Sequence, residues 1–284
     1  MIRIVVDSCS SMTLDEANKR DIKIVPMKYE LNGKELNPLE DNIDIKEFYD
    51  MILNHDVNVK TSCVSPDDYR IIFEEAIKNN EEVLYIALSK GLSGSYNSAQ
   101  LAKNIILDDY PDAKIEIINS LSGSLGVKLI IDEALILVNE GKSLSEIVDI
   151  LNSYAKRAVN TFTIGSLYHL YKGGRLKYTA MMAGRLLHFK PVISTNSEGS
   201  LEKSGTFIGK NKAISAMEDT LDKTIDTSSK SIYIGYTNNI DEANKLKNKL
   251  EAKYPSLNII AEPIDKTMGC HCGPETIALF YFHK

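Results

Sequence analysis

The sequence is poor in cysteine, lacks any long apolar run and carries no surplus of positive charge, and each shortage removes a class of protein. Four cysteines, Cys9, Cys63, Cys270 and Cys272, are too few and too unevenly spread for a disulfide scaffold. Thiols in a reducing compartment are therefore expected, and with them a cytoplasmic location. No hydrophobic stretch approaches the roughly 18 residues that a membrane span needs, and no charged start leads into an apolar run and a cleavage site. The formal net charge of -6 argues against nucleic acid as a partner, because a phosphate backbone is bound by surplus lysine and arginine. Acidic residues are missing altogether from Ile150 to Ser197, where Lys156, Arg157, Lys172, Arg175, Lys177, Arg185 and Lys190 fall. That block predicts one basic face on an acidic protein.

What is present reads as an ordinary globular chain: 284 residues, 43% apolar and 25% charged, enough for one large or two mid-sized cores. In the first half, β-rich runs at Ile2–Val6, Ile22–Leu31, Val83–Leu88 and Lys114–Ile118 alternate with helical stretches near Lys46–Asn54, from Ser65 and from Ser95. Alternation of this kind predicts an α/β fold with a parallel sheet and helices on both faces. Helix starts are marked by Asp44 with Glu47, by Ser143 with Glu146 and by Ser65-Pro66-Asp67. Amphipathic stretches at Ser124–Asn139 and Ser143–Val159 precede further strands at Thr161–Ser166, Pro191–Thr195, Ser231–Thr237, Leu257–Glu262 and Ile277–Phe282. The expected division is residues 1–160 and 161–284, two α/β domains with a ligand held between them.

Candidate chemistry sits just after strand ends, where helix starts expose N–H groups suited to an anion. Asp7-Ser8-Cys9-Ser10-Ser11, Thr61-Ser62-Cys63-Val64-Ser65-Pro66, Gly91-Leu92-Ser93-Gly94-Ser95-Tyr96 and Ser120-Leu121-Ser122-Gly123-Ser124 are four such hydroxyl-rich segments. Each could be a helix cap alone, but four together point to a site. Gly91-Leu92-Ser93-Gly94-Ser95 approaches the G-x-S-x-G elbow of serine hydrolases, misses the last glycine, and has only His271 and a weak acid, Asp265, downstream. Gly269-Cys270-His271-Cys272-Gly273-Pro274 reads as a loop, and its adjacent thiols and imidazole lack the C-x2-4-C spacing of zinc ligands. Leu167–Arg175 reads as a short helix closed by glycine with Arg175 just beyond. The acid-free stretch that follows, with Met181, Met182, Leu186, Leu187 and Phe189, suits a protein partner or a transient contact with an anionic membrane.

Taken in order and spacing, Asp7-Ser8, Thr61-Ser62, Leu92-Ser93-Gly94-Ser95-Tyr96-Asn97-Ser98-Ala99, Lys172-Gly173-Gly174-Arg175 and His271-Cys272-Gly273-Pro274 resemble the DegV family through nearly the whole chain. The resemblance implies a two-domain α/β protein that binds a fatty acid in a buried tunnel and presents its carboxylate to a separate ATP-dependent kinase for acyl-phosphate formation. It further implies a ligand-binding subunit with no catalytic residue of its own, and no cofactor beyond the bound fatty acid. By position, Thr61, Ser62, Ser93 and the Gly94 backbone would serve the carboxylate with His271 close by, and Arg175 would face the kinase. Cys63, Cys272, Glu275 and Asn119 depart from the family's usual residues, so the head-group network is expected to differ in detail.

The residues also leave room for a hydrolase or acyltransferase using Ser93 or Cys63, for a carrier of another anionic lipid, and for a thiol sensor built on the four cysteines. No P-loop or G-x-G-x-x-G run is present, so a phosphoryl donor would be bound by another protein.

Overall fold

The computed structural model describes residues 1–54, 57–176 and 189–284. In chain order the elements are β1 (Ile2–Asp7), a 3-10 turn (Ser8–Ser10), α1 (Leu14–Lys19), β2 (Ile22–Val25), β3 (Tyr29–Leu31), β4 (Lys34–Leu36), α2 (Ile45–Asn54), β5 (Val59–Thr61), α3 (Pro66–Lys78), β6 (Glu82–Ala87), α4 (Ser95–Asp109), β7 (Ile115–Asn119), α5 (Leu125–Asn139) and α6 (Leu144–Arg157). They continue with β8 (Ala158–Thr163), α7 (Tyr168–Lys172), β9 (Phe189–Thr195), β10 (Leu201–Ile208), α8 (Lys210–Thr224), β11 (Ser231–Tyr236), α9 (Ile240–Lys253), β12 (Asn258–Pro263), α10 (Lys266–Cys272) and β13 (Ile277–Phe282).

β2, β1, β6 and β7 form a parallel sheet in that order. Side chains alternate across it with the two-residue period of a strand. Ile4, Val6, Leu84 and Ile86 face α5, while Val5, Val83, Tyr85 and Ala87 face Tyr69 and Phe73 of α3 and Ala99 and Ala102 of α4. A second sheet, ordered β10-β9-β8-β13-β11-β12, mixes antiparallel and parallel pairs. Its outer face carries α8 and α9 through Ala213, Met217, Leu221, Ala243 and Leu246.

α5 lies between the two sheets, which explains a sequence apolar nearly all round: a helix buried on every side needs no polar face. Its one buried cation, Lys128, meets Glu16 of α1 at 2.7 Å and Glu262 of β12 at 2.6 Å, tying both halves to the shared helix. Capping follows the sequence at two helices. Ser65 and Ser143 each close a reciprocal box, with Asp68 and Glu146, at the starts of α3 and α6.

Three expectations change. The run Ile22–Leu31 is not one strand: β2 belongs to the parallel sheet, and β3 turns away after Pro26 into a separate antiparallel sheet with β4 and β5. Proline lacks the N–H that a continuing ladder requires. The glycine-flanked segment before β13 is not a loop but helix α10, capped by Asp265, which accepts the Met268 N–H at 2.9 Å. The basic block does not form one uniform face. Arg157 pairs with Asp226, and Lys190 lies 3.8 Å from Glu275, both acids from outside the block. Lys177, Arg185, Met181, Met182, Leu186 and Leu187 fall outside the described residues.

Candidate ligand cavity

The carboxyl ends of β2, β6 and β7 point at the inner face of the second sheet, the crevice where open parallel sheets bind ligands. A cavity fills that crevice, with about 760 Å³ of empty space that partly opens to solvent. Met27, Leu88 and Leu92 line it from the first half, and Phe162, Leu201, Ile264, Met268, Ala278 and Phe280 from the second. At one part of the wall stand Thr61, Ser93, Arg175 and His271.

Each of these four is placed by a different element. Thr61 ends β5, paired opposite Tyr29 of β3. His271 lies in the last turn of α10, a helix pinned by residues more than 200 positions upstream. Tyr49 of α2 donates to the Ile264 carbonyl at 2.8 Å, its ring fills the space a side chain at Gly269 would need, and buried Lys266 pairs with Asp41. The imidazole Nε2 is 2.8 Å from the Thr61 hydroxyl, and Nδ1 is buried without a partner. Burial pushes His271 down to about 4, assisted by the charges of Arg175 and His169, so the ring is neutral at physiological pH. A neutral ring donating Nε2–H to Thr61 leaves the threonine hydrogen free to point into the cavity.

Ser93 opens the turn into α4. Its hydroxyl lies 2.9 Å from that of Ser95 and accepts the Ser95 N–H at 3.2 Å. Arg175 follows α7 and a turn in which Gly174 takes φ +74, a left-handed conformation that suits glycine. The half-buried guanidinium donates to the Leu92 carbonyl at 3.0 Å and to the Gly173 carbonyl at 2.5 Å. Among the described residues no carboxylate pairs with it. Arg175 also borders a shallower outer groove with Lys90, Gly94, Gly174 and Lys203.

Ser62 and Gly94 stand apart from this wall. Ser62 is exposed and its N–H bonds the Lys28 carbonyl, while exposed Gly94 caps α4 and borders the outer groove. Cys63 is the one exposed thiol, 3.6 Å from the Ser95 hydroxyl; Cys9, Cys270 and Cys272 are buried, and burial pushes Cys272 up to about 12. The hydrolase constellation is not assembled. Ser93 bonds Ser95 rather than His271, His271 bonds Thr61, and Asp265 bonds Ser11 and the α10 N-terminus.

Asn160, Thr195, Thr267 and Thr276, which sequence reasoning missed, also line the wall. Asn160 donates to Ser122 at 2.8 Å and Thr195 at 3.1 Å. In their strands Asn160 and Thr195 look like solvent-facing positions, so only their tertiary neighbours distinguish them.

Fold and cavity together define an α/β protein of two large sheets and a small one, with a partly open, largely apolar site whose wall carries a cation and hydroxyls. The chain belongs to the DegV family, whose model, described as "Uncharacterised protein, DegV family", matches residues 1–284. A DegV domain-containing protein of Clostridium perfringens is 30% identical over 280 residues, covering 98% of this chain and 96% of that protein. A stearic acid-binding protein from Eubacterium ventriosum has a TM-score of 0.88 at 27% identity, covering 100% of this chain and 99% of that one. The fatty acid kinase B3 protein of Streptococcus pneumoniae, solved loaded with linoleic acid, has a TM-score of 0.87 at 25% identity over 100% of both chains.

Proposed function

We propose that this chain binds a long-chain fatty acid, with the carboxylate at Thr61, Ser93, Arg175 and His271 and the tail along the apolar wall, and presents it to a separate ATP-dependent kinase. The observation that carries the reading is one cavity with polar donors gathered at one place and apolar side chains over most of the rest. Taking a carboxylate out of water costs several kcal/mol unless donors replace the lost hydrogen bonds. The Thr61 and Ser93 hydroxyls and the Arg175 guanidinium, with which no described carboxylate pairs, supply them, the neutral imidazole orienting the Thr61 hydroxyl towards the ligand, and bonds to a charged acceptor are the strong ones. Each buried methylene contributes about 0.8 kcal/mol, so an ordinary acyl chain supplies on the order of 10 kcal/mol before ordering costs. The tail sets affinity and the head group sets orientation.

Arg175 borders both the cavity and the outer groove, which suits a residue that neutralises the carboxylate and meets the kinase. The reading is supported further by the stearic and linoleic acids named for the two solved relatives. Its test is organic extraction of purified protein followed by mass spectrometry. A stoichiometric long acyl chain is expected; no acyl chain, together with no uptake of added fatty acid, would overturn it. Acyl-phosphate formation on adding a fatty-acid kinase subunit and ATP tests the second half.

A further inference from the structure

Asp7 ends β1 with 1% of its surface exposed, yet carboxylate binding as described above does not use it. Tyr69 of α3 donates to one of its oxygens at 2.6 Å and Tyr85 of β6 to the other at 2.7 Å, and the two phenol oxygens lie 2.7 Å apart. The Cys9 thiol is 3.8 Å away, the Leu88 N–H bonds the carboxylate, and Asp265 acts on Cys9 from beyond. Tyr69 in turn meets the Ser95 hydroxyl, which is 2.9 Å from the Ser93 hydroxyl in the cavity wall. A file of hydroxyls thus connects a buried acid to the head-group site.

We propose that Asp7 is a positioning residue for Ser93: a proton on Asp7 turns the file Tyr69, Ser95, Ser93 outward, so that fatty-acid binding is coupled to proton uptake at Asp7. The inference rests on the fatty-acid reading of the cavity. An ionised carboxylate only accepts, so both phenols donate to it and the Tyr69 oxygen competes for the Ser95 hydrogen. Ser93 is then drawn to donate inward to Ser95, and its hydrogen is unavailable to the ligand. With the proton in place, Asp7 donates to Tyr69, Tyr69 to Ser95 and Ser95 to Ser93, leaving the Ser93 hydrogen for the ligand carboxylate. The proton comes from solvent and no covalent bond changes. Burial pushes Asp7 up to about 6, which brings this proton within reach of neutral pH. The ligand's own negative charge favours the same protonated form.

Calorimetric titration of linoleate into the full chain, freed of resident lipid and repeated in buffers of different ionisation enthalpy, reads the protons taken up per ligand. Net uptake is expected between about pH 6 and about pH 8, with affinity falling by up to about tenfold per pH unit. Asp7→Asn cannot take the proton, and its amide can donate to Tyr69, so uptake should vanish and affinity should become flat with pH. Tyr69→Phe and Tyr85→Phe each remove one donor to Asp7 while leaving the acid in place, but only Tyr69 reaches Ser95. Uptake should be reduced in the first and retained in the second. No proton uptake by the wild-type chain, or undiminished uptake in Asp7→Asn or Tyr69→Phe, would overturn the coupling alone; linoleate failing to bind the wild type would overturn the fatty-acid reading and the coupling with it.

Discussion

The His271 imidazole and the Thr61 hydroxyl are 210 positions apart in the chain and 2.8 Å apart in space. α10, held by Tyr49 and Asp41 of the first half, brings them together. The Thr61–His271 bond joins the small antiparallel sheet to α10 in the cavity wall.

His271→Ala should therefore weaken fatty-acid binding without unfolding the chain. Without the imidazole the Thr61 hydroxyl loses the partner that turns its hydrogen to the carboxylate, and since a hydrogen bond to a charged acceptor contributes about 1.5–3 kcal/mol, affinity should fall by up to roughly tenfold to a hundredfold. Displacement of a fluorescent fatty acid measures it; unchanged affinity would remove His271 from the head group.

Arg175→Ala should lower affinity less, by about 1 kcal/mol, because the guanidinium is half exposed and Thr61, Ser93 and His271 remain. Its larger effect is expected on acyl-phosphate formation with the kinase, where the outer groove around Lys90 and Lys203 would lose its link to the head group. Comparing binding with single-turnover phosphorylation separates the two.

Gly173→Ala tests the packing behind the imidazole. Gly173 has φ -74, which alanine adopts freely, but the added Cβ would lie 2.2 Å from His271 Nδ1. Displacing the ring should cost about 1–3 kcal/mol of stability and reduce lipid retention together. Thermal unfolding and extraction of the same sample check both.

Stability should respond to pH in opposite senses at two buried groups. His271 is held down at about 4 against an ordinary 6.5, so its contribution is full above about pH 6.5 and is lost as pH falls towards 4. Asp7 is held up at about 6 against an ordinary 3.8, so its contribution is full below about pH 4 and is lost as pH rises through 6. Each amounts to about 3 kcal/mol at most. Urea unfolding across this window should show His271→Asn gaining on the wild type as pH falls, and Asp7→Asn gaining as pH rises.

Cys63 should be the only one of the four cysteines modified quickly by a maleimide, since the other three are buried. Its sulfur sits beside Ser95 and Ser98, so bound fatty acid should slow the labelling. Peptide mass spectrometry gives the site and the rate.

Much of the frame was legible in the sequence because it depends on local pattern. Short β-rich runs set between helical stretches gave β1, β6 and β7, and Ser65 and Ser143 announced α3 and α6 through their own side chains. β10 was not legible: Leu201–Ile208 is an edge strand of mostly polar, partly exposed residues, with one neighbour to pair with and little to bury. α10 was hidden for another reason. Its glycines suggested a loop, whereas Gly269 is there because the Tyr49 ring occupies the place of a side chain.

The class of fold, the helix starts and the supply of hydroxyl, imidazole and guanidinium groups were readable from the chain alone, since they follow from local pattern and from the chemistry of single side chains. Which hydroxyls face the cavity was decided only by tertiary structure. Ser62 and Ser93 are alike in sequence, but Ser62 points away to the surface while Ser93 joins the wall with His271. Burial gives the imidazole and Asp7 their shifted proton affinities, and burial is a property of the packed whole, set by side chains brought together from distant parts of the chain.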